Sequence, residues 1–247
     1  MVKVNTSKEK KYKKNYVLKK APKRTIKQKE VARTKCYQLT KLFRKKQVIV
    51  DDEFYFDLSN FELSENSGYY SSDRDNTSNE VKHKRVQKFE PKLLVWVALS
   101  PKGRSKHFIV PSGQAINKDV YLDKCLRSRL IPFIEQYHKN NNVIFWPDLA
   151  SSHYSKKVQA FLNSKNIEFV PKERIIANTP ELKPIEDFWS EIKQTVYTKC
   201  WQAENLEQLR NRIDYCFKNL DPNIVQRFGR LSFTQVDAAR QNGIQNL

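Results

Sequence analysis

A chain of 247 residues with 39% hydrophobic and 12% aromatic content can bury a sizeable core, which excludes wholesale disorder and suits one large α/β domain or a domain with appendages. The formal net charge of +19 is unevenly spread, because residues 1–46 hold 18 Lys/Arg against 2 Asp/Glu and the remaining 201 hold 28 against 25. A nearly neutral body with a strongly basic arm points to a polyanion as partner, foremost nucleic acid; a solvated tail or a localisation signal is the plainer alternative.

Residues 1–24 are lysine-rich, poor in apolar groups and broken by Pro22, so order there is expected to need a partner. Thr25 can cap a helix running to Lys46, with Ile26, Ala32, Cys36, Leu39 and Phe43 at roughly helical intervals and basic residues on the other faces. Val48-Ile49-Val50 reads as the first core strand, and Phe54, Phe56 and Leu58 alternate after it. Residues 59–80 are polar and predict a loop or a hairpin with a poor second strand. Leu93 to Leu99 is the clearest buried strand, and His107 to Val110 a short partner. Asn117 to His138 predicts a helix, Val143 to Trp146 a strand ending at Asp148, and Ser155 to Ser164 a helix. Ile167 to Val170 predicts another short strand, and residues 172–183 a loop. Ile185, Phe188, Trp189, Ile192 and Val196 trace one apolar helical stripe, and Leu206 to Phe217 and Asn223 to Gln241 suggest further helices.

Strands that can form a meander, followed by alternating β and α, predict an α/β fold with a mixed sheet flanked by helices, the order of a ribonuclease-H-like fold. The division expected is a basic arm over 1–46, a catalytic domain over 47–200 and a helical extension over 201–247. Cys36, Cys125, Cys200 and Cys216 form no CxxC pair and no zinc spacing, so reduced thiols and an intracellular setting are expected. No signal peptide and no run of about 20 apolar residues is present, so no membrane partner is expected.

Asp52, Asp148 and Glu186 are the candidate site. They would sit on a strand, at a strand end and at a helix start, with 37 residues between the last two (186 − 148 − 1). Magnesium or manganese takes hard oxygen ligands, and a few carboxylates plus substrate phosphates suffice. Two such ions about 3.5–4 Å apart can activate a water or a 3′-hydroxyl and stabilise the leaving oxygen. Composition and periodicity do not select these three from 27 acidic residues. Asp51 competes with Asp52, since adjacent strand residues face opposite sides. Asp148 also reads as a loop-starting residue after Pro147, and Glu186 as a first-turn acid worth about 0.3–1 kcal/mol at the positive helix end.

Three blocks carry a resemblance. Val50-Asp51-Asp52-Glu53-Phe54-Tyr55-Phe56, Trp146-Pro147-Asp148-Leu149-Ala150-Ser151-Ser152-His153-Tyr154 and Leu182-Lys183-Pro184-Ile185-Glu186-Asp187-Phe188-Trp189 resemble the three acidic blocks of Tc1/mariner transposases, in order and at the spacing of the subgroup that ends in Glu. The resemblance runs from about Lys20 to near the C-terminus. It implies Asp52, the acid directly before Glu53, with Asp148 and Glu186 as catalytic and metal-binding residues for two Mg2+ or Mn2+ ions. It also implies DNA strand cleavage and strand transfer at transposon ends and target DNA, a homodimer in the active complex, and a nuclear setting. His153 would order the second-aspartate loop, contact DNA or serve as a structural histidine. Lys10, Lys11, Lys13 and Lys14, interleaved with Tyr12 and Tyr16, together with Lys23, Arg24, Lys45 and Lys46, are the expected DNA contacts. Trp96, Trp146, Trp189 and Trp201 are expected in the core.

Two departures stand out. Family members carry a paired helix-turn-helix region of roughly a hundred residues before the catalytic domain, whereas here 51 residues precede Asp52. A truncated or decayed copy, or an incomplete gene model, is the expected explanation. Lys183 stands where the family commonly has Asn, with metal binding expected to survive. The rivals to this reading are a related integrase or ribonuclease-H-type nuclease, and a domesticated or relic nucleic-acid-binding protein that keeps its acids for folding.

Overall fold

A computed structural model describes residues 23–59, 69–83, 90–139 and 142–244. The elements run α1 (Ile26–Phe43), β1 (Gln47–Asp57), α2 (Asn79–Lys82), β2 (Lys92–Ser100), β3 (Gly103–Arg104), β4 (Phe108–Ile109), α3 (Lys118–Val120), α4 (Ile131–Tyr137), β5 (Val143–Trp146), α5 (Lys156–Ser164), α6 (Pro184–Val196), α7 (Leu206–Lys218) and α8 (Pro222–Asn242). Their caps follow the sequence. Thr25 and Gln28 form a capping box on α1, Ser155 accepts from the Val158 amide on α5, and Asn205 accepts from the Gln208 amide on α7.

The sheet is mixed. β1 lies at its centre, antiparallel to β2 and parallel to β5, with Val50 level with Leu99 on one side and Trp146 on the other. β3 and β4 both pair with β2. Residues 48–58, read as two short runs in the sequence, form one strand through Asp57, because its alternating apolar positions find cover on both faces. Ile167 to Val170 does not extend the sheet as a strand. It makes a single parallel bridge, Phe145 to Phe169, before Pro171 ends the pairing. Residues 69–83 hold no strand, only the four-residue α2, and the rest of the expected hairpin lies outside the described residues.

Strand alternation sorts the core into two layers. Val48, Val50 and Phe56 of β1 and Val95, Val97 and Leu99 of β2 face α1, α6, α7 and α8. Ile49 and Trp96, with Phe145 of β5, face α5 and the helical stretch between α3 and α4. That stretch, Tyr121–Leu130, is a π-helix, so the segment predicted as one helix is helical throughout but wound more widely in its middle. Pro132, which has no amide hydrogen to give, sits just past its end.

The basic segment before β1 is not a detachable arm over its whole length. Ala32, Cys36, Leu39, Thr40 and Phe43 of α1 are buried, and the Phe43 ring meets the Trp146 indole at 5.1 Å. Leu209, Ile213, Val225, Phe228 and Val236 of α7 and α8 join the same core layer, so the C-terminal helices help to cover the sheet. Trp96, Trp146 and Trp189 are fully buried. No helix among the described residues is long and apolar enough to cross a membrane.

α8 approaches the end of β2 at Gly229, where an added Cβ would lie 2.0 Å from the Ser100 carbonyl oxygen and 2.5 Å from the Pro101 nitrogen. Backbone atoms cannot swing aside as a side chain can. Gly229→Ala is therefore expected to destabilise the fold by about 1–3 kcal/mol despite the better helix propensity of alanine. Urea unfolding of the two proteins checks this, and an unchanged or higher midpoint would refute the close approach.

Candidate active site

β1 sends its two consecutive aspartates into different layers. Asp51 points to the π-helix side and is fully buried. Its Oδ2 accepts from the Tyr121 hydroxyl at 2.6 Å and from the Trp96 indole N–H at 3.0 Å, and its Oδ1 has no partner. Burial raises its pKa, against the opposing pull of His153, Tyr121 and Trp96. Asp52 points to the α6 side, where its Oδ2 accepts from the Trp189 indole N–H at 3.0 Å. The competition left open by strand alternation therefore resolves into two different environments.

Asp148 follows β5 in the loop Pro147–Tyr154, and Glu186 is exposed in the first turn of α6. Burial and the neighbouring Glu186 charge, with a further push from Asp148, raise Asp52 to about 7. Burial also raises Glu186, with Asp148 and Asp187 pushing the same way. The charges of Glu186 and Asp148 thus both act against ionisation of Asp52, and that of Asp148 against ionisation of Glu186, from three separate elements. Asp148 behaves differently. Burial would raise it, but the ammonium of Lys183, bonded to its Oδ1 at 2.6 Å, holds its pKa below the usual carboxylate range.

His153 bridges the layers. Its Nδ1 lies 3.3 Å from the Asp148 carbonyl oxygen, its Nε2 lies 3.4 Å from Glu53 Oε1, and its ring stacks on Tyr121 at 3.8 Å. Burial opposes its protonation, but Glu53, Asp51 and Asp148 together prevail and raise its pKa. Of the three roles read from the sequence, this geometry fits the ordering of the second-aspartate loop. Trp189 and Tyr121 were read as core residues. Trp189 had a signal as a partner of the site, since it lies three positions after Glu186 on one helix. Tyr121 had none, because nothing local to it points at residue 51.

The expected DNA contacts divide. Lys10, Lys11, Lys13 and Lys14 lie outside the described residues. Arg24 pairs with Glu181 at 2.5 Å and also donates to the Asn178 carbonyl, and Lys46 pairs with Glu168 at 2.5 Å. Those two cations are engaged within the chain and are weaker candidates for phosphate than the sequence suggests. Lys23 and Lys45 are exposed.

The donor set at Asp52, Asp148 and Glu186 is all hard oxygen, which suits Mg2+ or Mn2+. Among the described residues, however, no three His, Cys, Asp or Glu side chains are grouped so as to hold a metal ion. The cation bonded within this acidic group is the Lys183 ammonium.

No protein-family model and no curated protein sequence matches the chain. Solved structures do. The fold is similar to Mos1 mariner transposase in a paired-end complex with Mn, with a TM-score of 0.74 and 18% identity over 94% of this chain and 67% of that one. It is similar to the catalytic domain of Mos1 mariner transposase, with a TM-score of 0.65 and 16% identity over 90% of this chain and 96% of that one. The Mos1 strand transfer complex matches at a TM-score of 0.70 and 19% identity, over 94% and 66%. The chain thus spans about two thirds of the longer Mos1 chains. At these identities the likeness establishes the fold, a mixed α/β sheet flanked by helices of the ribonuclease-H-like kind.

The raised Asp52 carboxyl sets a pH dependence. An unfolded aspartate titrates near ~3.9, so between there and about 7 the folded chain binds the proton more tightly. The stability contributed by this group is complete below the lower value and is lost as pH rises through the upper one. In chelator-treated protein, the melting temperature of the parent minus that of Asp52→Asn is expected to fall between pH 5 and pH 8. A difference that stays flat across that range would refute the shift.

Proposed function

We propose that the chain is the catalytic core of a Tc1/mariner-like DNA transposase, a metal-dependent polynucleotidyl transferase that cleaves and joins DNA strands. The reading is carried by one observation. Three carboxylates far apart in sequence meet the start of α6: Asp52 of β1 accepts from Trp189, Asp148 after β5 accepts from the N-cap residue Lys183, and Glu186 lies in the first turn. The likeness to Mos1 structures solved with Mn or Mg and in a strand transfer complex supports it. The paired-end complexes of that protein support DNA as partner, and a homodimer would be the working assembly. Action on chromosomal DNA would place the protein in the nucleus.

Asp52, Asp148 and Glu186 would hold the ions. Two bound Mg2+ or Mn2+ ions would supply Lewis acidity for the attacking and leaving oxygens of an in-line displacement. The chain's own groups then have separable tasks. The Trp189 N–H fixes one oxygen of Asp52 and leaves the other to a cation. His153 holds the Asp148 loop through its backbone carbonyl. Glu186, exposed on the first helical turn, faces solvent where a phosphate backbone can approach. With its pKa near neutrality, Asp52 is fully ionised at physiological pH only beside a cation.

The Lys183 to Asp148 pair favours a second reading, a nucleic-acid-binding protein that has lost cleavage. Incubation with duplex DNA, DNA ends and RNA–DNA hybrids, with Mn2+, Mg2+ or chelator, separates the readings. Metal-dependent nicking of DNA in preference to hybrid is expected. Removing an outer support of a metal ligand typically costs about 10–100-fold, so Asp148→Asn is expected to cost at least about 100-fold. Folded protein that binds DNA but never cleaves it would sink the enzymatic reading.

A second test concerns the basic N-terminus. Because α1 is built into the core, a deletion through residue 46 would strip the sheet of cover, whereas a deletion of residues 1–22 keeps the whole of α1. Those 22 residues carry eight lysines and one glutamate. Their loss is expected to weaken DNA binding broadly and flatten its salt dependence, since each neutralised phosphate contributes about 0.9 to the log–log slope. An unchanged slope would remove them from the interface.

A further inference from the structure

We propose that Lys183 is the resident cation of the acidic site and that its ammonium competes with divalent metal for Asp148, so that this residue sets the metal affinity of the protein. This deepens the transposase-core reading and rests on it.

Lys183 is poorly placed for any other purpose. It is the N-cap residue of α6 and makes no side-chain capping bond. A positive charge there faces the positive end of a 13-residue helix, where an acid or a short polar side chain is favoured. It is the one lysine among the buried polar and charged residues described, at 9% exposure, although lysine is rarely buried unless paired. What offsets both costs is the acidic group. The ammonium bonds Asp148 Oδ1 at 2.6 Å, and its charge also favours the ionised forms of Asp51, Asp52 and Glu186.

The backbone of Lys183 holds this arrangement. Its amide donates to the Pro180 carbonyl at 2.9 Å, and its own carbonyl accepts from the Glu186 amide at 3.1 Å. The same residue therefore anchors the helical turn that carries Glu186 and sends its side chain back to Asp148. An ammonium is a compact point charge, closer in its demands to a metal ion than a guanidinium is. It is tethered at the acids at all times, whereas a metal ion must arrive from solution. A hard cation binding Asp148 has either to displace the ammonium from Oδ1 or to take Oδ2 directly beside it, and a nearby unit positive charge repels a divalent ion even through a water-like dielectric.

The test compares Mn2+ binding by the parent chain with binding by Lys183→Gln, Lys183→Asn and Lys183→Arg, using calorimetry and the loss of the free-ion electron paramagnetic signal. Circular dichroism confirms folding. Removing the charge is expected to tighten Mn2+ binding by about tenfold or more, with Lys183→Arg remaining as weak as the parent. Added Mn2+ is also expected to raise the melting temperature of the neutral variants more than that of the parent, and Asp148→Asn in the Lys183→Gln background should abolish the gain. Equal Mn2+ affinity in the parent and the neutral variants would overturn the role of Lys183 and leave the metal-site reading standing. Folded neutral variants that bind no Mn2+ would overturn both.

Discussion

The site depends on a strand that must place a buried and a half-buried carboxylate side by side while its sheet is covered on both faces. Alternation forces Asp51 and Asp52 into opposite layers, so neither can be ignored by the fold. Asp51 goes where water does not reach and is kept by the Tyr121 hydroxyl and the Trp96 indole. Asp52 goes to the edge of the other layer, with one oxygen held by Trp189. An unpaired buried carboxylate is costly, and the donors around both residues are aromatic side chains that already contribute to the core.

The two layers communicate through His153. Its ring lies on Tyr121, which holds Asp51, while its nitrogens face the carbonyl of Asp148 and the carboxylate of Glu53. The rear layer, with its widened π-helical stretch, therefore bears on the loop that places the second acid of the site.

Like charges gathered from three elements need compensation, and here a lysine at the start of α6 supplies it. Its cost at that helix end and its burial are both offset by the acids it faces. The same helix carries an exposed Glu186 and a buried Trp189 one turn apart, with Lys183 at its N-cap, so the start of α6 brings together a cation, an acid and a hydrogen-bond donor. That concentration explains why the third sequence block is dense in polar and aromatic residues although its stripe reads as an ordinary amphipathic helix.

Most of the element order was legible in the chain itself, because 2-residue and 3.6-residue periodicities are local properties. β2 and the helices α5 to α8 emerge near their expected bounds, and Thr25, Ser155 and Asn205 cap as their chemistry dictates. The basic N-terminal stretch was also legible, whereas the choice of Asp52, Asp148 and Glu186 from 27 acidic residues and the oddity of Lys183 came only from the family resemblance. Tertiary structure decided the rest. It joined residues 47–57 into one strand, reduced 167–170 to a single bridge, built α1 into the core, and engaged Arg24 and Lys46 within the chain. It also sent the Lys183 ammonium to Asp148, 35 residues away. Strand cover, ion pairing and the charge around a carboxylate depend on what lies across space, and no local pattern of side chains encodes that.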